Sequence, residues 1–293
     1  MKILFVHAHF DDYEFTASGL FELWRRRLGD DLSARVLVCT DGRAGHHLLS
    51  PEKTTEVRIA EQEASARIGK YDFQCLRLPD GRIPREACLL VSRDLLAALW
   101  RAIRDFEPDY LFCPPLPVDP LAGIHVDHVS VAEAVRKVAY MINVPHAFLE
   151  EFPPEEQEPQ SCKVPVILNT YDAYMAGANH PDFLVDVEEA FESICEMTWC
   201  HQSQIKEWLP WVGRHKLDVP QSFDDWKKML RKRFSRQNKE LGLEGDRAME
   251  AFLITAWGEV PNKNQILRDF PGMDLALSQF ENLSRFALAH HND

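Results

Sequence analysis

The sequence predicts an α/β, doubly wound (Rossmann-like), mostly parallel sheet with a helical C-terminal extension. Three observations predict it. Short, nearly continuous apolar runs recur through the first 145 residues. An amphipathic run of helical period follows each of the first four, the pattern of strands buried on both faces of a parallel sheet. And 293 residues with 45% hydrophobic content are enough for one large core.

In order, Ile3 to Ala8 reads as a first strand and Phe15 to Leu28 as a helix, with Leu20, Leu23, Trp24 and Leu28 at helical spacing. Arg35 to Cys39 is a second strand. Thr54 to Gly69 is a helix ended by glycine, and Phe73 to Leu78 a third strand. Glu86 to Phe106 reads as a long Leu- and Ala-rich helix, Tyr110 to Cys113 as a fourth strand, and Val129 to Ile142 as another helix. Residues 149–160 are acidic and proline-rich and predict a loop or flap. Val164 to Leu168 and Phe183 to Val187 read as strands, and Glu188 to Trp208 as helical. Beyond about residue 211 the pattern is mostly helical, with Trp226 to Leu241, Asp246 to Ala256 and a stretch around 275–289 as the candidates. The expected division is a domain over 1–210 and a helical extension, 211–293, packed on it.

The formal charge of −13 argues against general nucleic-acid binding, which needs a basic surface. Seven cysteines, with no CxxC pair and several inside apolar runs, read as reduced thiols in a cytoplasmic protein. The N-terminal apolar run is short, contains histidine and leads into two aspartates, so it reads as a buried strand rather than a leader. No run of about 18 apolar residues predicts a membrane span.

Two segments carry the chemistry. His9-Phe10-Asp11-Asp12 follows the first strand, and His125-Val126-Asp127-His128 lies in the loop after the fourth. In a doubly wound sheet of order 3-2-1-4 the first and fourth strands are neighbours where the order reverses, and ligands bind in the crevice at their carboxyl ends. The two segments should therefore face each other. A catalytic zinc takes three protein ligands and leaves a position open, a count that two histidines and one aspartate fill. An adjacent carboxylate can take a proton from water, and a further histidine can stabilise an oxyanion or protonate a leaving amine.

Six motifs in order give the chain a resemblance. They are Ala8-His9-Phe10-Asp11-Asp12, Thr40-Asp41-Gly42, Arg58 with Glu61, Pro79-Asp80-Gly81, His125-Val126-Asp127-His128, and Asp186-Val187 with His201-Gln202-Ser203-Gln204. Over about residues 1–205 the chain resembles the PIG-L/LmbE-like N-acetylglucosaminyl deacetylases. The resemblance implies a metal-dependent hydrolase that removes an N-acetyl group from a GlcNAc-like sugar or glycoside, releasing acetate and a free amine. It implies His9, Asp12 and His128 as metal ligands, Asp11 as general base, and His125 as the histidine of the tetrahedral intermediate and leaving amine. Asp127 would orient a histidine, and Arg58 would point toward the sugar. The cofactor implied is one divalent metal ion, zinc first, although the same ligand set accepts Fe2+, Mn2+ or Co2+. The partner implied is a small N-acetylated molecule, and a homo-oligomer is in keeping with the family. Phe10 and Val126 stand where the family has proline, and Tyr13 where it has an acidic residue, with Glu14 following. Some members carry a tyrosine two residues before the first histidine of the HxDH segment; Gly123 is there instead, so a tyrosine in that role must come from elsewhere.

Two other readings use the same residues: hydrolysis of a non-sugar amide, and a catalytically silent metal-binding or interaction protein. Other polar residues have plainer readings. His7 packs beside the site; His46 and His47 are a solvated pair at the pocket mouth; His180-Pro181-Asp182 is a turn; His201 and Gln204 brace the core under the site. The basic run of Lys227, Lys228, Arg231, Lys232, Arg233, Arg236 and Lys239 reads first as the solvated face of an amphipathic helix, and second as an anion contact.

Overall fold

The computed structural model describes residues 1–152, 161–175, 180–214 and 216–290. Seven strands form a single sheet: β1 (Lys2–His7), β2 (Ser33–Val38), β3 (Asp72–Cys75), β4 (Tyr110–Cys113), β5 (Val166–Thr170), β6 (Phe183–Asp186) and β7 (Met249–Ile254), in the order β3-β2-β1-β4-β5-β7-β6. The first five are parallel, with Phe5 beside Val36 on one side and Phe112 on the other. β7 is antiparallel to both β5 and β6. The order reverses between β1 and β4, as the alternation of apolar runs predicts.

The helices are α1 (Asp12–Thr16), α2 (Ser18–Leu28), α3 (Pro51–Gly69), α4 (Arg93–Phe106), α5 (Val126–Ala139), α6 (Phe191–Trp199), α7 (Leu209–Val212), α8 (Phe223–Glu240), α9 (Lys263–Asp269) and α10 (Glu281–His290). The period of two along each strand sorts its side chains between two cores. Ile3, Phe5, Val36, Val38, Tyr110, Phe112 and Leu168 face one, with Trp24 of α2, Ile194 of α6 and Trp226 of α8. Leu4, Val6, Leu37, Leu111 and Ile167 face the other, with Leu99 and Ile103 of α4 and Val131 and Val135 of α5. The result is three layers, helix on sheet on helix. Each fully buried ring or branched chain contributes about 1.5–3 kcal/mol to holding them together.

Several elements depart from expectation. The first helix is broken at Ala17 (φ −146°) into α1 and α2. The helix expected from Glu86 starts at Arg93, where Ser92 caps it by accepting from the Leu95 N–H. Upstream, Ala87 adopts φ 64°, and the N–H groups of Ala87 and Leu89 donate to Asp127 instead of forming a helical turn. Asp246 to Ala256, expected as helix, contains strand β7, whose place between β5 and β6 in the sheet makes the C-terminal third more than a helical extension. Glu188 to Trp208 is not one helix: α6 ends at Trp199, and residues 203–208 form a wider π-helical turn leading into α7. Of the loop expected at 149–160, residues 153–160 lie outside the described residues. All seven cysteines are free thiols. Among the described residues, no helix is long and apolar enough to cross a membrane.

Candidate metal centre and active site

Three neighbouring parallel strands, β1, β4 and β5, end on the same edge of the sheet, and the loops that follow them build the site. β1 runs into His9 and the turn at Asp11. Asp11 has φ 84°, a left-handed conformation that non-glycine residues rarely adopt, and its backbone N–H is held by Gln62 Oε1 at 3.1 Å. That turn starts α1 at Asp12 and sets Asp11 and Asp12 side by side with different surroundings. From β4 comes the second motif, with His125 capping the N-terminus of α5 and Asp127 and His128 in its first turn.

His9 Nδ1, Asp12 Oδ2 and His128 Nε2 converge, 3.0 Å apart between the histidines and 3.6 and 3.5 Å from each to the carboxylate. Ligand atoms held tetrahedrally at zinc bond lengths lie about 3.4 Å apart, so this donor set fits a divalent ion. Two overlapping groups of donors meet on His128: His9, His125 and His128, and His7, Asp12 and His128. Each converging histidine has its other nitrogen committed. His9 Nε2 donates to Asp127 Oδ2 (3.0 Å), and His128 Nδ1 donates to Asp172 Oδ2 (2.5 Å). Asp127, fully buried, is itself fixed by the Ala87 and Leu89 N–H groups. Such partners set the tautomer and leave the nitrogen that faces the donor cluster free to hold an ion.

The charges follow the geometry. Burial raises the Asp12 carboxyl, but His7, His128 and His9 outweigh it and hold Asp12 well below the usual carboxylate range. Burial works against a charge on His9, yet the bond to Asp127 and the Asp12 and Glu86 carboxylates raise it to about 9. Metal binding at Nδ1 would therefore displace a proton. Asp11 is pushed the other way, up to about 6, because burial outweighs the attraction of Arg58. Burial, with His9 and His128 alongside, lowers His125 to about 4. Its ring centre lies 4.6 Å from that of His9 and 4.8 Å from that of His128.

Arg58, expected to point toward the substrate, is buried and committed to protein groups. It donates to the Phe10 carbonyl (2.5 Å) and Glu61 (2.9 Å), pairs with Asp11 (3.1 Å), and lies 3.3 Å from His201 Nδ1. It clamps the loop that carries His9 to Asp12. Glu14 anchors the same region from below, accepting from Gln62, Ser65 and Tyr71, while Tyr13 fills the core beside Phe5 and Tyr71. His201 is fully buried in that network, and Gln204 donates to the Gly45 carbonyl, so both brace the site as expected. His7 packs edge-on to His128 and donates from Nδ1 to Asp12 (2.5 Å). His46 and His47 are not a solvated pair: His46 is buried against Glu207, and His47 stacks on Trp211 at 4.7 Å. Asp182 does more than end a turn, accepting from Ile254 and Asn282 to tie strand β7 to α10.

Two residues of the site were missed by sequence reasoning. Asp172 and Tyr174 follow β5, and the Tyr174 ring lies 6.1 Å from His125 and 5.7 Å from His128. No motif marks them; the signal available was their place after a strand adjoining β4. A cavity of about 390 Å³ opens beside this centre, reaching Asp11, Asp12, His128 and Tyr174.

Residues 4–139 match the model of the PIG-L family, described as GlcNAc-PI de-N-acetylase, which bears out the resemblance read from the motifs over that segment. No curated protein matches the chain in sequence. Among solved structures, N,N'-diacetylchitobiose deacetylase from Pyrococcus horikoshii is similar, with TM-score 0.64 and 20% identity over 87% of this chain and 84% of that one. The 4-carboxy-2-hydroxymuconate hydratase GalB from Pseudomonas putida KT2440 aligns with TM-score 0.60 and 15% identity over 89% and 98% of the two chains. A deacetylase of the teicoplanin biosynthetic pathway aligns with TM-score 0.54 and 15% identity, covering 87% and 99%. At these identities the likenesses establish a shared fold.

Proposed function

We propose that the protein is a metal-dependent N-deacetylase that cleaves the acetamide of a GlcNAc-like sugar or glycoside to acetate and a free amine. The observation that carries the reading is the convergence of His9, Asp12 and His128 within 3.0–3.6 Å, with a separate carboxylate, Asp11, beside them. The family whose model matches residues 4–139 is described by the same reaction. A divalent ion held by the three donors would supply Lewis acidity toward water and the acyl oxygen.

The chain's own residues then divide the proton work. Asp11, raised to about 6 and held by Arg58, is the base that takes a proton from the attacking water. His125 lies on the opposite motif; once protonated it stabilises the oxyanion and passes its proton to the departing amine. Tyr174 is the tyrosine from elsewhere that can donate to the acyl oxygen in place of the one absent at Gly123. Asp127 and Asp172 keep His9 and His128 in the tautomers the donor set needs.

A second reading has a specific observation behind it. GalB, a hydratase by its name, shares the fold over nearly its whole length, so the same water-activating groups could serve addition to an alkene. The test is elemental metal analysis of purified protein together with amine release from a panel of N-acetylated sugars and glycosides. About one metal per chain, and amine release lost in His128→Ala and Asp11→Asn, is the expected result. Metal binding with no amine released, but with water added to a carboxylated dienol, would replace deacetylation by hydration. Asp11→Asn with full activity would remove Asp11 as the base.

A further inference from the structure

One wall of the cavity beside the metal-binding donors comes from α8. Trp226, Met229, Leu230, Arg233, Arg236 and Gln237 line it, at spacings of three and four that place them on one helical face. The paired cations of the basic run lie off that face. Lys227 meets Glu192 and Asp224, Lys228 meets Asp225, and Arg231 meets Glu188. Those three are the solvated, paired side of an amphipathic helix.

Arg233 differs from them. It is half-buried and forms no ion pair among the described residues. Its Nη1 donates to Gln237 Oε1 at a long 3.4 Å, and its guanidinium carbon sits 4.9 Å from the centre of the Phe15 ring. A guanidinium has five N–H donors in a fixed fork, so most of Arg233's capacity is unspent. Enclosure lowers its proton affinity, while the Tyr174, Tyr171 and Asp11 groups across the cavity raise it. The carboxylates lining the cavity are otherwise engaged or distant in role. Glu240 accepts from the Tyr171 hydroxyl, Asp172 from His128, and Asp11 and Asp12 belong to the reacting centre. Asp218 lines the wall as well. Arg236, exposed, stands one turn further along the same face.

We infer that Arg233 is an anion anchor, and that the molecule whose amide is cleaved carries an oxyanion, a carboxylate or a phosphate, seated against the Arg233 fork with Arg236 at the rim. The acyl end then lies at Asp12 and His128, which line the same cavity. The assignment of the acyl end rests on the deacetylase reading; the anion end rests on α8 alone. It makes the enzyme selective for acidic N-acetylated substrates, although the protein as a whole carries a net charge of −13.

The experiment compares kcat/KM for amine release from N-acetylglucosamine, its 6-phosphate and its carboxymethyl glycoside, in the wild-type holoenzyme and in Arg233→Gln, Arg233→Lys and Lys232→Gln. In parallel, calorimetry measures binding of glucosamine 6-phosphate and of glucosamine. A charge-assisted bond to an enclosed guanidinium is worth on the order of tenfold or more in affinity. An anionic substrate should therefore be preferred by at least about that factor, mainly through KM. Arg233→Gln should collapse the ratio. Arg233→Lys should retain part of it for the phosphate and less for the carboxylate, which exploits the fork; the stronger of the two wild-type preferences identifies the anion. Lys232→Gln, off the lining face, should leave the ratio as it was. Turnover with no anionic preference, or a preference that Arg233→Gln does not change, overturns the anchor and leaves the deacetylase reading standing. Arg233-dependent binding of glucosamine 6-phosphate over glucosamine, with no turnover of any substrate, keeps the anchor and removes deacetylation. Neither binding nor turnover of the anionic compounds overturns the anchor.

Discussion

Asp172 lies outside every motif, yet its carboxylate decides which nitrogen of His128 is free. It accepts from His128 Nδ1 at 2.5 Å, with both side chains no more than 3% exposed, so water cannot take its place. Asp172→Asn removes the charge and offers an amide in its stead. The amide oxygen can still accept from Nδ1–H, but the bond becomes neutral and loses roughly half its strength. If the amide turns its NH2 to the ring, the imidazole shifts tautomer and Nε2 loses its lone pair. Replacing such a partner lowers metal affinity about 10- to 100-fold, or about 1.4–2.7 kcal/mol. We expect Asp172→Asn near the lower bound and Asp172→Ala near the upper, the latter also freeing the Tyr174 N–H that Asp172 holds at 2.8 Å. Zinc affinity of apoprotein, measured in competition with a chromophoric chelator, reads this directly, and unfolding midpoints in chelator control for global damage. Variants that bind zinc within twofold of wild type, with unchanged midpoints, would refute the claim that the carboxylate tunes His128.

Other outcomes follow from single contacts. Arg58→Lys keeps the charge but cannot reach the Phe10 carbonyl, Glu61 and Asp11 together; kcat should fall by at least about tenfold with metal content unchanged, as read by steady-state kinetics with elemental analysis. Gly42 has φ +69°, and a Cβ there would come within 2.6 Å of the Phe10 ring; Gly42→Ala should destabilise by about 1–3 kcal/mol in urea unfolding, and a neutral result would show that the turn relaxes freely. Burial opposes the charge on Glu22, but Arg25 and Arg26 outweigh it and lower its pKa, so its contribution is present above the unfolded carboxyl range and is lost as pH falls through the folded value. Glu22→Gln should therefore cost about 1 kcal/mol at pH 7, the guanidinium groups being part-exposed, and the deficit should shrink once pH falls below the unfolded carboxyl range and be gone below the folded value; a deficit that stays constant throughout an acid titration would sink that account.

The paired motifs were legible because each lies next to a strand whose apolar run identifies it, and the reversal between β1 and β4 follows from alternation alone. The segments 9–12 and 125–128 could thus be brought together without coordinates, while the choice of His9, Asp12 and His128 among them rests on the family resemblance. Local pattern misled where a distant group competed for the backbone. Residues 86–92 have helix-forming composition, but a buried carboxylate 40 residues away takes the Ala87 N–H and draws the chain out of the helix. Residues 249–254 read as helix because a strand buried on both faces has no alternation to betray it; pairing with β5 and β6 decides the matter.

By itself, then, the sequence determined the α/β class, the order of the first four strands and the residues at their carboxyl ends, since these depend on periodicity and on the handedness of strand–helix–strand connections. Only the tertiary structure decided what surrounds those residues. Arg58 is turned inward to hold Asp11, Asp172 reaches His128 from the loop after β5, and Arg233 enters the cavity from a helix more than a hundred residues beyond the second motif. Such contacts depend on how side chains far apart in the chain share space and exclude water, and no local pattern records that.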